Sequence, residues 1–115
     1  MSDRSVSRAA RDRKVYAPVF FALGDETRLW LVARLSSGTP QSIAELTAGS
    51  SLTRQAITKH LRVLEDAGLV RSMRTGRESR FEFEPKPVKQ LKAYLDQVSE
   101  QWDQTLGRLK SFVER

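Results

Sequence analysis

The sequence predicts a mainly α-helical fold with one two-stranded β-hairpin. Three stretches carry this prediction: an amphipathic helix over about residues 53–67, an alternating strand pattern around a glycine turn in residues 69–84, and an apolar heptad from residue 88 to residue 112. With 115 residues and a hydrophobic content of 39%, the chain can bury one modest core. We therefore expect a single domain.

The charge of the chain is basic and unevenly distributed. The formal net charge is +6 and the pI is about 10.2, which favours a polyanionic partner. Residues 53–80 hold seven Lys or Arg against three acids, so the amphipathic helix lies in the most basic block.

Cysteine usage and hydropathy indicate the compartment. The chain has no cysteine, which excludes disulfides, thiolate metal sites and cysteine nucleophiles and favours a reducing cytoplasm. The sequence shows neither a signal peptide nor a membrane-spanning stretch. We therefore expect a cytoplasmic protein without membrane contact.

The N-terminal residues predict an arm followed by a helix. Residues 1–14 contain almost no apolar side chains and five Lys or Arg, a composition typical of a mobile basic arm that is either solvated or in contact with DNA. Pro18 suits the first turn of a helix, and the residues that follow it are strongly apolar.

A second helix is predicted after residue 24. Asp25 can cap it, and its inward stripe is formed by Leu31, Val32 and Leu35. Trp30 lies off that stripe. We interpret this tryptophan as a half-buried packing residue or as part of a subunit contact.

Two further helices are predicted with a short turn between them. Ser42 and Glu45 have capping-box spacing at the start of a short helix that ends near residue 48. Thr53 is the predicted N-cap of the next helix, and Gly68 supplies the left-handed residue that ends it. The order of helix, turn and amphipathic helix is that of a helix-turn-helix unit.

The helix over residues 53–67 has two different faces. Ile57, Leu61 and Leu64 recur at helical spacing and are predicted to face the core. The opposite face, concentrated toward the N-terminal end, carries hydrogen-bonding and cationic side chains: Arg54, Gln55, Thr58, Lys59 and Arg62. Since side chains of these types read base edges in the major groove, we expect this face to contact DNA bases.

A β-hairpin is predicted directly after this helix. The second strand alternates apolar and charged residues beyond a turn at Gly76, which points Phe81 and Phe83 toward the core. Arginines remain on or near the projecting hairpin: Arg71, Arg74, Arg77 and Arg80. Phosphate or minor-groove contact would explain so many guanidiniums, and a merely solvated hairpin is the alternative.

Four segments together resemble the ArsR-type winged helix-turn-helix transcriptional regulators. They are Phe21-Ala22-Leu23-Gly24-Asp25-Glu26-Thr27-Arg28, Ile43-Ala44-Glu45-Leu46, Thr58-Lys59-His60-Leu61-Arg62-Val63-Leu64-Glu65-Asp66-Ala67-Gly68-Leu69-Val70 and the Gly76-Arg77 turn. The resemblance covers about residues 16–84. It implies that residues 53–67 are the recognition helix, that residues 69–84 are the wing, and that the outer helices form a two-fold dimer. It also implies repression by promoter occupancy.

These expectations divide the chain into three parts. Residues 1–14 are the arm, residues 15–86 the winged helix-turn-helix domain, and residues 87–115 the dimerisation helix. Phosphate contacts are expected at the start of the recognition helix and on the wing, from Ser51, Thr53, Arg74, Arg77 and Arg80.

The chain departs from the metal-sensing members of that family. Members with thiolate sites carry a cysteine pair where this sequence has Ser50, Ser51 and Thr53, and the carboxylates of the last helix have no histidine beside them. We therefore expect no metal and no cofactor. His60, the single histidine, is predicted to pack or to form hydrogen bonds. A hydrolase built on it would need a second catalytic group, for which the sequence offers no candidate, so we expect no enzyme.

The C-terminal residues predict one long helix with an apolar seam. Its positions alternate at spacings of three and four: Val88, Leu91, Leu95, Val98, Trp102, Thr105, Leu109 and Phe112. At 1.5 Å per residue this helix would be about 40 Å long, more than a small core can cover. Together with the apolar helix after residue 18, it predicts a homodimer interface formed by Val19, Phe20, Leu23, Leu91, Leu95, Val98, Trp102 and Leu109.

The basic helix and the apolar seam together predict a dimer that binds an inverted-repeat operator in double-stranded DNA. The resemblance implies that this dimer is a repressor. The alternative is a protein-interaction module that uses both features only for docking, which predicts no salt-dependent DNA affinity. In similar regulators with a tail of the Gln101-Trp102-Asp103 type, the gene often neighbours one for a START-like domain that binds lipids or other hydrophobes. That resemblance implies a small apolar inducer.

Overall fold

The computed structural model describes the backbone of residues 2–114 and the side chains of residues 8–114. Within that range the chain forms five helices and three short strands. In chain order they are α1 (Ser2–Leu23), α2 (Glu26–Leu35), β1 (Gln41–Ser42), α3 (Ile43–Ala48), α4 (Arg54–Asp66), β2 (Val70–Thr75), β3 (Glu78–Phe83) and α5 (Lys86–Val113). The predicted mainly α-helical fold with a β wing is confirmed.

Helix α1 is longer than the sequence predicted. It runs from Ser2 to Leu23 with Pro18 inside it, so the predicted helix start at Pro18 is wrong. Residues 2–14 of the expected arm are helical, and residue 1 lies outside the described residues. The physical reason is intrinsic helix propensity. This segment is rich in arginine and also contains Ala9 and Ala10, and both residue types favour a helix even at exposed positions. A proline removes one backbone donor and bends a helix, and here it does not end it.

The predicted starts of the three central helices are confirmed by their caps. The Asp25 carboxylate accepts the Arg28 backbone N–H at 3.0 Å at the start of α2. Ser42 and Glu45 form a reciprocal capping box on α3. The Thr53 hydroxyl accepts the backbone N–H of Ala56 at 3.1 Å at the start of α4. Each of these bonds satisfies a first-turn donor that the helix itself cannot.

The sheet has one more strand than predicted. Its order is β1-β3-β2, and both neighbouring pairs are antiparallel. The β2–β3 hairpin turns at Gly76, whose φ of +65° is a conformation that favours glycine. Strand β1 is only two residues long and also supplies the N-cap of α3, so it shows no alternation that a sequence reading could detect.

The core lies where the first four helices, the sheet and the first turns of α5 meet. Its buried members come from every one of those elements: Val19, Ala22, Leu31, Leu35, Leu46, Ile57, Leu61, Leu64, Leu69, Val70, Phe81 and Leu91. Tyr16 of α1 stacks on Tyr94 of α5 with 4.6 Å between the ring centroids. Val19 and Leu91, which the sequence predicted for the subunit interface, are each only 6% exposed and lie in the core of the single chain.

Beyond Tyr94, helix α5 leaves the core. We call residues 95–113 the distal segment of α5. The molecule measures 66 × 32 × 22 Å and has a radius of gyration of 19.0 Å, against about 13 Å for a compact chain of this length. Most large apolar side chains of the distal segment are exposed, namely Leu95, Trp102, Leu106, Leu109, Phe112 and Val113, and Val98 is half-buried. Among residues 2–114, no helix has both the length and the apolar character needed to span a bilayer.

Candidate nucleic-acid interface

Helix α4 presents a polar outer face because its inner face is fully packed into the core. Ile57, Leu61 and Leu64 are at most 1% exposed. Of the five residues predicted to read bases, four have exposed side chains and Thr58 is half-buried. We call these five residues the outer face of α4: Arg54, Gln55, Thr58, Lys59 and Arg62. The structure therefore places them together, on the side of α4 opposite the core.

Two of the side chains predicted to contact DNA are partly engaged within α4. The hydroxyl of Thr58 donates to the Arg54 carbonyl oxygen at 2.7 Å, which leaves its methyl group and oxygen lone pairs for an outside partner. The Thr53 hydroxyl accepts a bond as N-cap, so its proton remains available as a donor. Ser51 lies exposed just before this cap. The first turn of α4 carries no acid, so its positive dipole end is not neutralised locally.

A groove joins the start of α4 to the tip of the wing. It has a volume of about 420 Å³ and is lined by residues from β1, α3, α4 and the wing: Ser42, Ile43, Ala44, Arg54, Thr58, Arg77, Glu78 and Ser79. The groove brings Arg54 of α4 and Arg77 of the wing to one side of the molecule. A continuous anionic strand could contact both guanidiniums at once.

The arginines of the wing fall into two groups. Arg74 and Arg77 are exposed near the turn. Arg71 pairs with Glu82 and Glu84 across the hairpin. Arg80 is held by three oxygen partners: a Glu45 carboxylate at 3.3 Å, a Glu78 carboxylate at 3.2 Å and the Pro40 carbonyl at 3.3 Å.

The expectation that Arg80 contacts phosphate is therefore revised. Pairing of β1 with β3 sets Ser42 opposite Arg80, and this places Glu45 beside the guanidinium. The backbone N–H of Ser42 donates to the Glu45 carboxylate and lowers the pKa of Glu45 below its ordinary value. The Ser42 hydroxyl and the charge of Arg80 lower this pKa further. Glu45 is then ionised at neutral pH and offsets the charge of Arg80.

His60 lies on the flank of α4 and contacts the first turn of α2. Its Nδ1 is 3.2 Å from Nη1 of Arg28 and 3.7 Å from Oδ2 of Asp25. The Arg28 backbone N–H lowers the pKa of Asp25 below its ordinary value, and the charge of the Arg28 side chain adds to this effect. His60 is thus a hydrogen-bonding residue, as predicted. The sequence reading missed Arg28, which is 32 residues away along the chain and carries no periodic signal.

Within the part of the chain that the structure describes, no three His, Cys, Asp or Glu side chains gather at one point. The carboxylate beside His60 already caps α2. What the arrangement offers chemically is a basic, hydrogen-bonding surface formed by the outer face of α4 and the tip of the wing. Such a surface suits the major groove and the flanking phosphates of DNA.

Comparison with known proteins places this surface in a family. A family model described as a helix-turn-helix domain matches residues 23–72. The chain is 46% identical over 79 residues to the uncharacterized HTH-type transcriptional regulator YuzN of Bacillus subtilis (strain 168), across 64% of this chain and 86% of that protein. An ArsR-like transcriptional regulator from Rhodococcus sp. RHA1 superposes with a TM-score of 0.84 at 33% identity, over 91% of this chain and 95% of that one.

A more distant structure shares the fold. It is the homodimeric winged helix-turn-helix DNA-binding domain of Mb0332 from Mycobacterium bovis, with a TM-score of 0.65 at 22% identity, covering 82% of this chain and 86% of that one. The matches with YuzN and the Rhodococcus protein are close and extensive enough to decide the family. The chain belongs to the ArsR-like helix-turn-helix transcriptional regulators and is a DNA-binding regulator of transcription with a winged-helix fold.

Proposed function

We propose that the protein is a homodimeric repressor that reads an inverted-repeat operator. The observation that carries the proposal is the outer face of α4, a row of cationic and amide side chains held outward by an inner face that is completely buried. A helix fixed in this way can enter the major groove while it keeps its packing against the core.

The roles on the outer face follow from side-chain chemistry. The guanidinium of Arg54 can donate two hydrogen bonds to guanine, and the amide of Gln55 can pair with adenine. Lys59 suits guanine or a phosphate. The half-buried Thr58 offers its methyl group to a thymine methyl.

Phosphate contacts are proposed at both ends of this surface. Ser51 and Thr53 lie at the start of α4, where the helix dipole favours an anion. Arg74 and Arg77 lie at the tip of the wing with exposed side chains. These contacts would set the position of α4 on the duplex without reading sequence.

The distal segment of α5 supports dimerisation through a second copy of the chain. Trp102 is 60% exposed and Phe112 is 74% exposed, although both lie on an apolar seam. Leu106 and Val113 extend that apolar surface to a third heptad position, which is typical of a helix packed in a bundle. Phe20, Leu95, Val98 and Leu109 remain available for the same interface, and Leu23 is half-buried.

A two-fold axis through that bundle would set the geometry of the operator. Two recognition helices about 34 Å apart enter successive major grooves on one face of B-DNA, so the operator would be an inverted repeat. The Mycobacterium bovis neighbour, whose name describes it as homodimeric, supports such an assembly. A dimer that occupies a promoter excludes the polymerase, and this is the proposed mode of repression in the cytoplasm.

Selection of bound DNA from a random pool tests the proposal. Purified wild-type protein should enrich an inverted repeat whose half-sites lie about one helical turn apart. A matched control with Arg54→Ala and Lys59→Ala, which changes only the outer face of α4, should enrich no such repeat. If the wild type enriches no sequence and its affinity for DNA does not depend on salt concentration, a protein-docking module would be favoured instead.

A further inference from the structure

Arg28 is the one side chain that bridges α1, α2 and α4 through three hydrogen bonds among the described residues. It sits in the first turn of α2. Its Nε donates to the Ala22 carbonyl at 2.7 Å, and its Nη2 donates to the Phe21 carbonyl at 3.1 Å. Its Nη1 lies 3.2 Å from Nδ1 of His60 in α4. The three donors of one planar guanidinium thus tie together three helices.

The contacts with α1 are made at its C-terminal end. The last carbonyls of a helix have no partner within it and form the negative end of its dipole. Arg28 brings a positive charge to that end, and its guanidinium also lies over the Phe21 ring, 5.3 Å from the centroid. The Phe21 ring itself is 69% exposed, so this end of the bridge is open to the surroundings of α1.

The contact with α4 is made on a flank that does not face DNA. His60 lies five residues beyond Gln55, which is about 140° around a helix. An arginine can only donate, so Nδ1 of His60 accepts and the ring proton resides on Nε2. Asp25 is the other charged group close to this nitrogen, at 3.7 Å. A bond on this flank can restrain the rotation of α4 about its own axis in addition to the packing of its inner face, and that rotation sets the direction of the outer face.

We propose that Arg28 is a positioning residue that fixes the rotation of the recognition helix against the end of α1, through His60. Because α1 also carries Phe20 and Leu23 of the proposed dimer interface, Arg28 links the state of that interface to base reading. This inference rests on the proposed function, since it requires a protein that distinguishes an operator from other DNA. A merely structural arginine would change stability and leave that distinction intact.

Two substitutions of His60 separate these roles. His60→Asn keeps an acceptor near the position of Nδ1, whereas His60→Gln moves the amide to the position of Nε2 and is otherwise a matched change. Affinities for the selected operator and for random DNA should be measured for both, together with the dimer dissociation constant. The Gln variant should lose about tenfold in operator affinity and change less than about twofold on random DNA, and the Asn variant should stay within about threefold of wild type.

Arg28→Lys extends the test to the other end of the bridge. Lysine keeps the positive charge, but one ammonium cannot donate to the Ala22 carbonyl, the Phe21 carbonyl and His60 in the same planar arrangement. The ratio of operator affinity to random-DNA affinity should therefore fall. The double variant Arg28→Lys with His60→Gln should lose no more than the larger single loss, because both changes break the same bond. Thermal unfolding of each variant shows whether it folds. If Arg28→Lys does not fold, the comparison of His60→Gln with His60→Asn still tests the proposal.

The outcomes distinguish the inference from the function on which it rests. Equal operator affinity of the Gln and Asn variants, or parallel losses on operator and random DNA, would overturn the positioning role while operator recognition by the wild type stands. A wild type that binds operator and random DNA alike would overturn the proposed function, and the inference with it. A selective loss in His60→Gln that His60→Asn restores supports the bridge.

Discussion

Helices α4 and α5 are both amphipathic, but the apolar face of α4 is buried within the chain and most of the apolar face of α5 is exposed. Every large inward residue of α4 is buried in the core, and Ile57 is completely inaccessible. On the distal segment of α5 the seam continues with the same periodicity, but Trp102 is 60% exposed. This difference shows that an apolar stripe on a helix predicts that the stripe is buried, but does not predict whether the same chain or another molecule buries it.

The cause is length and position. Helix α4 has 13 residues and lies between α1, α2 and the sheet, so neighbours exist along its whole inner face. Helix α5 has 28 residues, and only its first turns reach the core. A small domain cannot provide enough surface to cover such a helix. The polar face of α4 and the apolar face of distal α5 are therefore the two surfaces without a cover in one chain. DNA covers the first in our proposal, and a second copy of the chain covers the other.

The largest effect should come from breaking the apolar surface of α5. Trp102→Asp would bury a charge in the proposed interface, and we expect the dimer dissociation constant to rise by about a hundredfold or more. Gln104→Asp adds the same charge to an exposed position about 160° around the helix and should leave the dimer intact. Sedimentation at micromolar concentration compares them, and a monomeric wild type or a dimeric Trp102→Asp would contradict the proposed interface.

The next effect concerns the polar face of α4. Gln55→Ala or Arg54→Ala should change the preferred bases, because each removes a bidentate pair of hydrogen bonds that is worth about 1–3 kcal/mol of discrimination. Arg71→Ala is a suitable control, because Arg71 is paired with Glu82 and Glu84 on the hairpin. Binding to single-base variants of the operator measures the preference. Wild-type preference at every position in both outer-face variants would show that α4 does not read bases there.

A smaller effect should separate two arginines of the wing. Arg77→Ala removes an exposed charge and should weaken binding to operator and random DNA by similar factors, with a salt slope lower by about one unit. Arg80→Ala is the same chemical change three residues away, but Arg80 already pairs with Glu45 and Glu78. It should lower the melting temperature and leave the salt slope nearly unchanged. Reversed results would restore Arg80 to the DNA-binding surface and remove Arg77 from it.

The smallest effect concerns the caps that hold α2 and α3 beside α4. The pKa values of Asp25 and Glu45 lie below the ordinary values of 3.8 and 4.5. A carboxyl with a lower pKa in the folded state than in the unfolded state stabilises the fold at neutral pH, and this contribution is lost as the pH falls below about 4.5. Urea unfolding at several pH values should therefore show a shallower acid loss in Asp25→Asn and Glu45→Gln. An unchanged slope in both variants would contradict the assignment.

Much of the site could be predicted because its signals are local. The N-cap of α4 at Thr53, the left-handed Gly68 after its end and the polar outer face depend on residues within about one to four turns of one another. The start of α1 was missed because a mixed charged and alanine-containing segment lacks an apolar stripe and yet favours helix. Pro18 therefore does not mark the start of α1, because the residues before it also favour a helix.

What the sequence by itself determined, then, is the caps of the three central helices and the two faces of the recognition helix, because these follow from short-range spacing. The family resemblance also came from the sequence, through four matching segments. Tertiary structure decided the rest. It paired β1 with β3 and thereby placed Arg80 beside Glu45 and the Pro40 carbonyl, through contacts that reach 40 residues along the chain. It joined Arg28 to His60 across 32 residues. It also divided the continuous apolar seam of α5 into a buried start and an exposed distal segment, because the other helices and the sheet pack only against the first turns of this helix.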